Sequence, residues 1–314
     1  MLEKRKFFME TLDHVRTVLL TEPRGYPCQN LNIILPPTDS RAEAGYIIAE
    51  QNGIYPLFSG HNTICVVTAL LETGTVTMQE PLSHFQLESP GGLISVKARC
   101  AGGRVLEVSM TSLPSFVGRR DVEVRVPSLG KVTVDLVFGG MWFAIVAAEQ
   151  VGARICPEEG GKLARLGEMI KVAAREQSPI SHPTMEYEGP DILAWTQGSG
   201  LSRTNTVVMS NKELDWARPD TQTGMLDRSP CGSGTASVMA LLHHKGELEL
   251  GQTFTHRSVI GTEFTGQLTA TTRVGEYEAV IPVITGRGWL TAVSDIVVEA
   301  DDPLPTGYTV GDIW

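Results

Sequence analysis

The 314-residue sequence has few cysteines, no long apolar run and no excess of basic residues. Its cysteines are widely spaced and form no Cys-x-x-Cys pair, which argues against a disulfide framework and a zinc cluster and favours the cytoplasm. The net charge of −10 argues against a nucleic-acid groove. No stretch reaches membrane-spanning length, and residues 1–8 lack the apolar centre of a signal peptide. We therefore expect neither a nucleic-acid partner nor a membrane.

The composition is that of a globular protein, with 42% hydrophobic and 20% charged residues. The chain is longer than one hydrophobic core usually requires, which favours two domains. Apolar periodicity predicts both element types, and hence an α+β fold. The predicted helices cover 3–20, 64–71 and 158–175, and the predicted strands include 31–35, 44–49, 279–284, 289–293 and 296–298.

A cysteine stands at a predicted helix start in the stretch 227–235 (DRSPCGSGT). Pro230 suits the approach to a helix, and the glycines on either side of Ser233 allow close backbone contact. Helix-start N–H groups bind anions and lower the pKa of a nearby thiol. We therefore interpret Cys231 as a catalytic base beside N–H groups that hold a carboxylate. An inert buried thiol is the alternative interpretation.

A second stretch, 59–63 (SGHNT), repeats the pattern of a small polar residue, glycine, two further residues and threonine. It also precedes an apolar helical run, so Ser59 takes the place of Cys231. This repetition predicts two similar domains whose helix starts face each other across a cleft. Ser59 has a simpler interpretation as a helix cap, which is compatible with catalysis.

These motifs resemble those of the proline racemase superfamily. The resemblance extends to 134–140 (VDLVFGG), 258–266 (SVIGTEFTG) and 301–303 (DDP). It implies a diaminopimelate-epimerase-like fold of two similar domains, each a β-sheet or barrel around a central helix, with the active site in the interdomain cleft. We expect an N-terminal domain of residues 1–118 plus 293–314 and a C-terminal domain of 119–292.

The resemblance also implies roles for individual residues. Two thiols of the family lie on opposite faces of a proline α-carbon, and Asp227 would hold the ring ammonium. The N–H groups that would hold the substrate carboxylate belong to Gly60, His61, Gly232 and Ser233. No metal and no other cofactor is expected.

The sequence departs from the family pattern at two places. Ser59 replaces the first cysteine, and no His-x-x-Gly-Glu-Pro-like strand precedes the helix predicted at 3–20. We expect the lack of that strand to leave a sheet edge open in the first domain.

The resemblance leaves several functions open, and the chemistry of Ser59 distinguishes between them. A serine hydroxyl is a poor base unless another group such as His61 activates it, so Cys231 is the strong base. Removal of the α-proton by Cys231, with loss of a β-hydroxyl assisted by Ser59 or His61, would make the protein a trans-3-hydroxy-L-proline dehydratase in amino-acid catabolism. Alternatives are a 4-hydroxyproline 2-epimerase or proline racemase-like isomerase with Ser59 as second acid and base, and a non-catalytic imino-acid-binding homologue. A homodimer is left open.

Overall fold

The computed structural model describes residues 1–211 and 213–310. The chain divides into two compact units: unit 1 comprises Met1–Met110 and Gly286–Trp314, and unit 2 comprises Thr111–Thr285. The boundaries expected from the sequence, after residues 118 and 292, lie a few residues further along the chain and stay a prediction.

Unit 1 is a five-stranded sheet with three helices. Its strands follow the order β1-β2-β3-β4-β5, with β2 and β3 parallel and the other pairs antiparallel. The apolar residues of α3 are largely buried, which explains why this helix forms immediately after the polar stretch at 59–63. The elements are α1 (Leu2–Thr11), α2 (Asp13–Leu20), β1 (Asn30–Leu35), β2 (Ala44–Glu50), α3 (Gly60–Glu72), β3 (Leu82–Ser89), β4 (Gly92–Ala101) and β5 (Arg104–Thr111).

The prediction of one helix over 3–20 was wrong, because the chain forms two helices there. Leu12 leaves the helical conformation (φ −118°, ψ 12°) and separates α1 from α2. Asp13 then begins α2, where its carboxylate accepts hydrogen bonds from Arg16 and from the Tyr55 hydroxyl. An acidic residue is stabilising in the first turn of a helix, so the Asp13 interactions favour a new start.

Unit 2 is a closed barrel of eight strands. The order is β6-β7-β8-β11-β12-β14-β15-β16, and pairing of β16 with β6 at Ala279–Phe116 and Val280–Ser115 closes it. Its elements are β6 (Ser115–Val126), β7 (Gly130–Phe138), β8 (Trp142–Ala147), α4 (Gly160–Gln177), β9 (Ile180–Ser181), β10 (Glu188–Gly189), β11 (Ile192–Gln197), β12 (Ser202–Ser210), β13 (Gly224–Leu226), α5 (Gly232–His244), β14 (Thr253–Arg257), β15 (Glu263–Val274) and β16 (Tyr277–Gly286).

Helix α5 is the central helix of unit 2. Every residue from Gly232 to Leu242 is buried, and α5 packs against β6, β7, β8 and β15. The sequence of α5 is rich in small and apolar residues over its whole circumference, as expected of a helix enclosed on all sides. A sheet in unit 1 and a barrel around a helix in unit 2 confirm the predicted α+β class.

The strands predicted at 289–293 and 296–298 do not form. Val293 is 93% exposed and Val297 is 67% exposed. A β-branched run favours a strand only where neighbours cover one of its faces, and within the described residues no strand pairs with this segment.

None of the described helices combines the length and apolar character that crossing a bilayer requires.

Candidate active site

Cys231 lies at the N-cap of α5, at the edge of the buried part of unit 2. Its backbone has φ 57° and ψ 118°, in the left-handed region of φ that a residue with a side chain seldom occupies. The sulfur accepts a hydrogen bond from the Gly234 N–H at 3.3 Å and lies 3.6 Å from the Ser233 hydroxyl. The thiol therefore occupies the position of a capping oxygen, where the N–H group and the helix dipole favour the thiolate.

Asp227 braces the turn that carries Cys231. One of its carboxylate oxygens accepts from the Ser229 N–H and the other from the Ser229 hydroxyl, both at 2.9 Å. The Ser229 hydroxyl oxygen in turn accepts from the Cys231 N–H at 3.2 Å. Asp227 is half-buried and is thus connected to Cys231 through Ser229. Its predicted contact with a ring ammonium stays a prediction.

Two glycines allow the backbone to approach this helix start. A Cβ on Gly234 would lie 3.2 Å from the Cys231 sulfur and 3.3 Å from a Val207 methyl group. A Cβ on Gly139 would lie 2.4 Å from the Ser233 carbonyl oxygen, which is shorter than the distance at which two non-bonded atoms can pack. The Gly139-Gly140 pair after β7, which resembles a phosphate loop only weakly, therefore serves close packing against α5.

Ser59 is the N-cap of α3, as its sequence position predicts. Its Oγ accepts from Asn62 twice, from the backbone N–H at 3.4 Å and from the side-chain Nδ2 at 3.0 Å. A hydroxyl oxygen has two lone pairs, so these contacts leave Ser59 with one hydrogen to donate. Asn62 is buried and was not identified as a site residue from the sequence. The only signal was an amide residue three positions after a serine cap.

The two helix starts hold their first carbonyl groups in the same way. The Thr63 hydroxyl donates to the Ser59 carbonyl at 2.8 Å, and the Thr235 hydroxyl donates to the Cys231 carbonyl at 2.7 Å. The backbone N–H of the same threonine bonds the same carbonyl at 2.9 Å in both cases. The sequence repeat is therefore a repeat of local geometry, with threonine four residues after the capping side chain.

The remaining site residues lie at these two helix starts. Gly60 is buried and His61 half-buried in the first turn of α3, and Gly232 and Ser233 are buried in that of α5. The first N–H groups of any helix have no acceptor within it, so each start offers donors for an anion.

No metal site is found near these helix starts or elsewhere among the described residues. His243, at the end of α5, has its Nδ1 2.8 Å from the Leu248 carbonyl oxygen. In the part of the chain that the structure describes, no three His, Cys, Asp or Glu side chains cluster as a metal site.

Comparison with proteins of known structure shows two relatives with a similar fold and substantial sequence identity. One is a probable proline racemase from Agrobacterium radiobacter K84 with bound carbonate, 33% identical, with a TM-score of 0.87 over 100% of this chain and 89% of the relative. The other is a hydroxyproline epimerase from Agrobacterium vitis with bound trans-4-hydroxy-L-proline. It is 35% identical, with a TM-score of 0.85 over 96% of this chain and 84% of that one.

More distant structures share the fold alone. A phenazine biosynthesis protein of the PhzF family from Bacillus anthracis is 11% identical, with a TM-score of 0.57 over 91% of this chain and 88% of its own. The two-domain, diaminopimelate-epimerase-like fold expected from the sequence is thereby confirmed. The family model for proline racemase matches residues 1–309. The chain therefore belongs to the proline racemase family.

Proposed function

We propose that this protein removes the α-proton of a hydroxyproline without a cofactor and that its reaction is the dehydration of trans-3-hydroxy-L-proline. Membership of the proline racemase family supports isomerase-type chemistry at an α-carbon. The Agrobacterium vitis relative with a bound hydroxyproline supports the substrate class. The observation that favours dehydration is the Ser59 hydroxyl, whose oxygen is occupied by two hydrogen bonds from Asn62.

Substrate binding uses the two helix starts. In this proposal the substrate carboxylate accepts hydrogen bonds from the N–H groups of Gly60 and His61 at the start of α3 and of Gly232 and Ser233 at the start of α5. Both helix dipoles favour the negative charge there. Asp227 accepts from the ring ammonium and thereby orients the α-carbon toward Cys231.

Cys231 is the base. Its thiolate takes the α-proton, the C–H bond breaks and an S–H bond forms. The electron pair moves into the carboxylate, where helix-start N–H groups stabilise the developing enediolate charge. A neighbouring N–H donor, that of Gly234 at 3.3 Å, keeps the thiolate available before the proton transfer.

The second step expels the hydroxyl group. In trans-3-hydroxy-L-proline the 3-hydroxyl lies on the same ring face as the α-hydrogen, so the newly protonated Cys231 is on the side of the leaving group. Its proton passes to the hydroxyl, the C3–O bond breaks, and water leaves with formation of a carbon–carbon double bond. The enamine then tautomerises to Δ1-pyrroline-2-carboxylate, and the thiolate is regenerated without any redox change.

Ser59 disfavours inversion in this mechanism. Racemisation or epimerisation needs a group on the opposite face that gives a proton in one direction and takes one in the other. The Ser59 hydroxyl, which accepts two hydrogen bonds from Asn62, can give its proton, but it can take one only after it has become an alkoxide, and an alkoxide forms far less readily near neutral pH than a thiolate. An alcohol is also a weaker acid than a thiol, so the enediolate loses its 3-hydroxyl as water, with the proton from Cys231, faster than it is protonated by Ser59.

The second candidate function is 4-hydroxyproline 2-epimerase. It is favoured by the Agrobacterium vitis relative, a hydroxyproline epimerase with bound trans-4-hydroxy-L-proline. In this reaction the hydroxyl is too far from the α-carbon to be eliminated, and Ser59 would act as the second acid and base. Ser59 would then have to be an alkoxide whenever it acts as the base.

Proton NMR in D₂O distinguishes these functions. The protein is incubated separately with trans-3-hydroxy-L-proline and trans-4-hydroxy-L-proline, and the α-proton and ring signals are followed. We expect conversion of the 3-hydroxy substrate to Δ1-pyrroline-2-carboxylate. Exchange and inversion of the 4-hydroxy substrate, without elimination from the 3-hydroxy substrate, would instead establish the epimerase. Binding of either compound without α-proton exchange would contradict both functions.

A further inference from the structure

A buried histidine lies directly behind the threonine that holds Cys231. His256, on β14, is 1% exposed, and its Nδ1 lies 3.0 Å from the Thr235 hydroxyl oxygen. Thr235 is itself fully buried, and its hydroxyl contacts the carbonyl oxygens of Cys231 at 2.7 Å and Pro230 at 3.2 Å. His256 is therefore connected to the catalytic turn through a single side chain.

The direction of these hydrogen bonds follows from what each group can donate. Carbonyl oxygens only accept, so the single Thr235 hydroxyl hydrogen points to the carbonyls of Cys231 and Pro230. The Thr235 oxygen must then accept from His256, which places the ring hydrogen on Nδ1. Burial, with a smaller contribution from the positive charge of Arg203, lowers the pKa of His256 to about 3, so the ring is neutral.

The other ring nitrogen supports this assignment. Nε2 of His256 is buried and has no hydrogen-bond partner among the residues that the structure describes. An unpaired Nε2–H in the interior would be costly, whereas an unprotonated nitrogen loses only a weaker acceptor interaction. The single ring hydrogen is thus used at Nδ1, toward Thr235.

Unit 1 contains the same arrangement with a different side chain. The Tyr46 hydroxyl, on β2, lies 2.6 Å from the Thr63 hydroxyl oxygen, and Tyr46 is fully buried. The Thr63 hydroxyl donates its only hydrogen to the Ser59 carbonyl at 2.8 Å. The Thr63 oxygen therefore accepts the hydrogen bond from the Tyr46 hydroxyl. Burial raises the pKa of Tyr46 above its ordinary value, which keeps the donor hydrogen in place.

We infer that His256 and Tyr46 are positioning residues, each of which fixes an N-cap residue of the proposed active site through the hydroxyl of the threonine four positions after it. The inference rests on the proposed roles of Cys231 and of the α3 start that Ser59 caps. At Cys231 the backbone is held at φ 57°, a conformation that persists only where surrounding contacts impose it. The bonds from Thr235 to two successive carbonyls are such contacts, and His256 fixes the rotamer of Thr235 that makes them. The orientation of the thiol toward the Gly234 N–H follows.

Two conservative variants of His256 test the direction of its hydrogen bond. Asparagine places an N–H₂ group near the position of Nδ1, whereas glutamine places one near Nε2. We expect His256→Gln to slow iodoacetamide alkylation of Cys231 at pH 7 about tenfold, the effect of one lost hydrogen bond, and His256→Asn to restore most of the rate. Mass spectrometry of the Cys231 peptide separates this thiol from the other four. The measurement uses no substrate, so its result is independent of the reaction catalysed.

His182 provides a matched control in the same unit. It is also a buried histidine, but its Nδ1 accepts from the Thr184 and Met185 N–H groups, not from a residue of the Cys231 turn. We expect His182→Asn to lower the melting temperature and leave Cys231 alkylation unchanged. Equal slowing by His182→Asn and His256→Gln, or a wild-type rate in His256→Gln, would overturn the inference.

A second pair of variants decides the matter if His256→Gln does not fold. Thr235→Val removes the hydroxyl at nearly constant volume, and Thr235→Ser keeps it. We expect slow alkylation of Cys231 in Thr235→Val and recovery in Thr235→Ser. A wild-type rate in Thr235→Val would show that the hydroxyl does not position the thiol.

Tyr46→Phe tests the corresponding arrangement in unit 1. It removes one oxygen atom and leaves the ring in place. The N–H groups of Gly60 and His61, proposed to bind the substrate carboxylate, directly follow Ser59. We therefore expect KM for the hydroxyproline substrate to rise about tenfold with little change in kcat, and Tyr46→Phe combined with Thr63→Val to lose no more than Thr63→Val alone. Independent, additive losses would contradict a shared role of Tyr46 and Thr63.

Discussion

At the scale of single residues, the two helix starts differ in what their capping side chains can do with a proton. Cys231 accepts a hydrogen bond from the Gly234 N–H, and its thiolate forms far more readily near neutral pH than an alkoxide. Ser59 accepts two hydrogen bonds from Asn62 and retains a hydrogen to donate. This difference is the basis for proposing elimination over inversion.

Cys231→Ser tests the role of the thiolate at this scale. Serine is a preferred N-cap residue, so we expect the stability of α5 to be kept. A hydroxyl is too weak a base for the α-proton, so kcat should fall about 10²- to 10⁴-fold, the usual effect of losing a general base. The measurements are the initial rate of hydroxyproline turnover and the melting temperature. Wild-type activity in this variant would exclude Cys231 as the base.

At the scale of elements, the positions of α5 and α4 depend on features with opposite character. The start of α5 is packed against the end of β7 at Gly139. Helix α4 contacts β12 through a buried group of polar side chains. Lys171 of α4 donates to both carboxylate oxygens of Glu168 on the same helix, at 2.9 Å, and also to the Ser210 hydroxyl of β12. The contact at Gly139 depends on a residue without a side chain, whereas the contact between α4 and β12 depends on a buried ion pair.

Gly139→Ala should destabilise unit 2, because the new Cβ would lie 2.4 Å from the Ser233 carbonyl oxygen. Overpacking of this kind costs about 1–3 kcal/mol. Gly161→Ala in α4 is the matched control, since nothing lies within 4 Å of its Cβ and alanine favours a helix. Urea unfolding should show the first variant less stable and the second at least as stable as the wild type. Equal stability of all three proteins would contradict the close contact.

Lys171→Met should also destabilise the protein, because it leaves the Glu168 carboxylate buried without its cation. Lys171 and Glu168 side chains are 5% and 1% exposed, and loss of one partner of such a pair costs about 3–5 kcal/mol. The control is Lys162→Met, whose ion pair with Glu159 lies at the surface, with side chains 42% and 21% exposed, and is worth about 0–1 kcal/mol. The free energy of unfolding of the two variants should differ accordingly. A similar loss in both would show that burial does not govern the pair.

The sequence predicted the elements that short-range signals define. Pro230 and the glycine after Cys231 indicated the start of α5, and the serine–glycine pair at 59–60 indicated that of α3. Asn62 and His256 could not be identified in the same way, because their roles depend on which atoms the fold brings within hydrogen-bond distance. His256 is 21 residues from Thr235 along the chain, on another element.

Two errors of prediction have related physical causes. Residues 289–298 carry a strand-like pattern, yet the segment is exposed and unpaired within the described part of the chain, since strand formation requires a partner. The run 3–20 carries a helical pattern, yet local contacts of Asp13 begin a second helix. Periodicity alone contained neither the partner strand nor those local contacts.

At the scale of the whole molecule, the neutral state of His256 links stability to pH. The folded pKa is about 3 and the ordinary value is 6.5, so between these values the unfolded chain binds the extra proton. The contribution of neutral His256 to the free energy of unfolding is therefore fully present above pH 6.5 and is lost progressively as the pH falls toward 3. The slope of the free energy of unfolding from this group is up to about 1.4 kcal/mol per pH unit.

The comparison of wild type with His256→Asn isolates this contribution. Asparagine does not titrate, and the other ionisable groups are common to both proteins. The difference in free energy of unfolding should be constant above pH 6.5 and should change in favour of the variant as the pH is lowered from 6.5 to 4.5. A difference that is independent of pH over this range would contradict a buried, neutral His256.

The asymmetry between Ser59 and Cys231 is tested most directly by the partition of trans-3-hydroxy-L-proline between dehydration and α-inversion. Chiral chromatography measures both products for the wild type and for Ser59→Cys, and their ratio does not depend on the overall rate. We predict that the wild type forms almost only the dehydrated product and that Ser59→Cys, with a second thiol, raises the inverted share about tenfold or more. A partition unchanged by Ser59→Cys, or inversion as the main reaction of the wild type, would contradict the account.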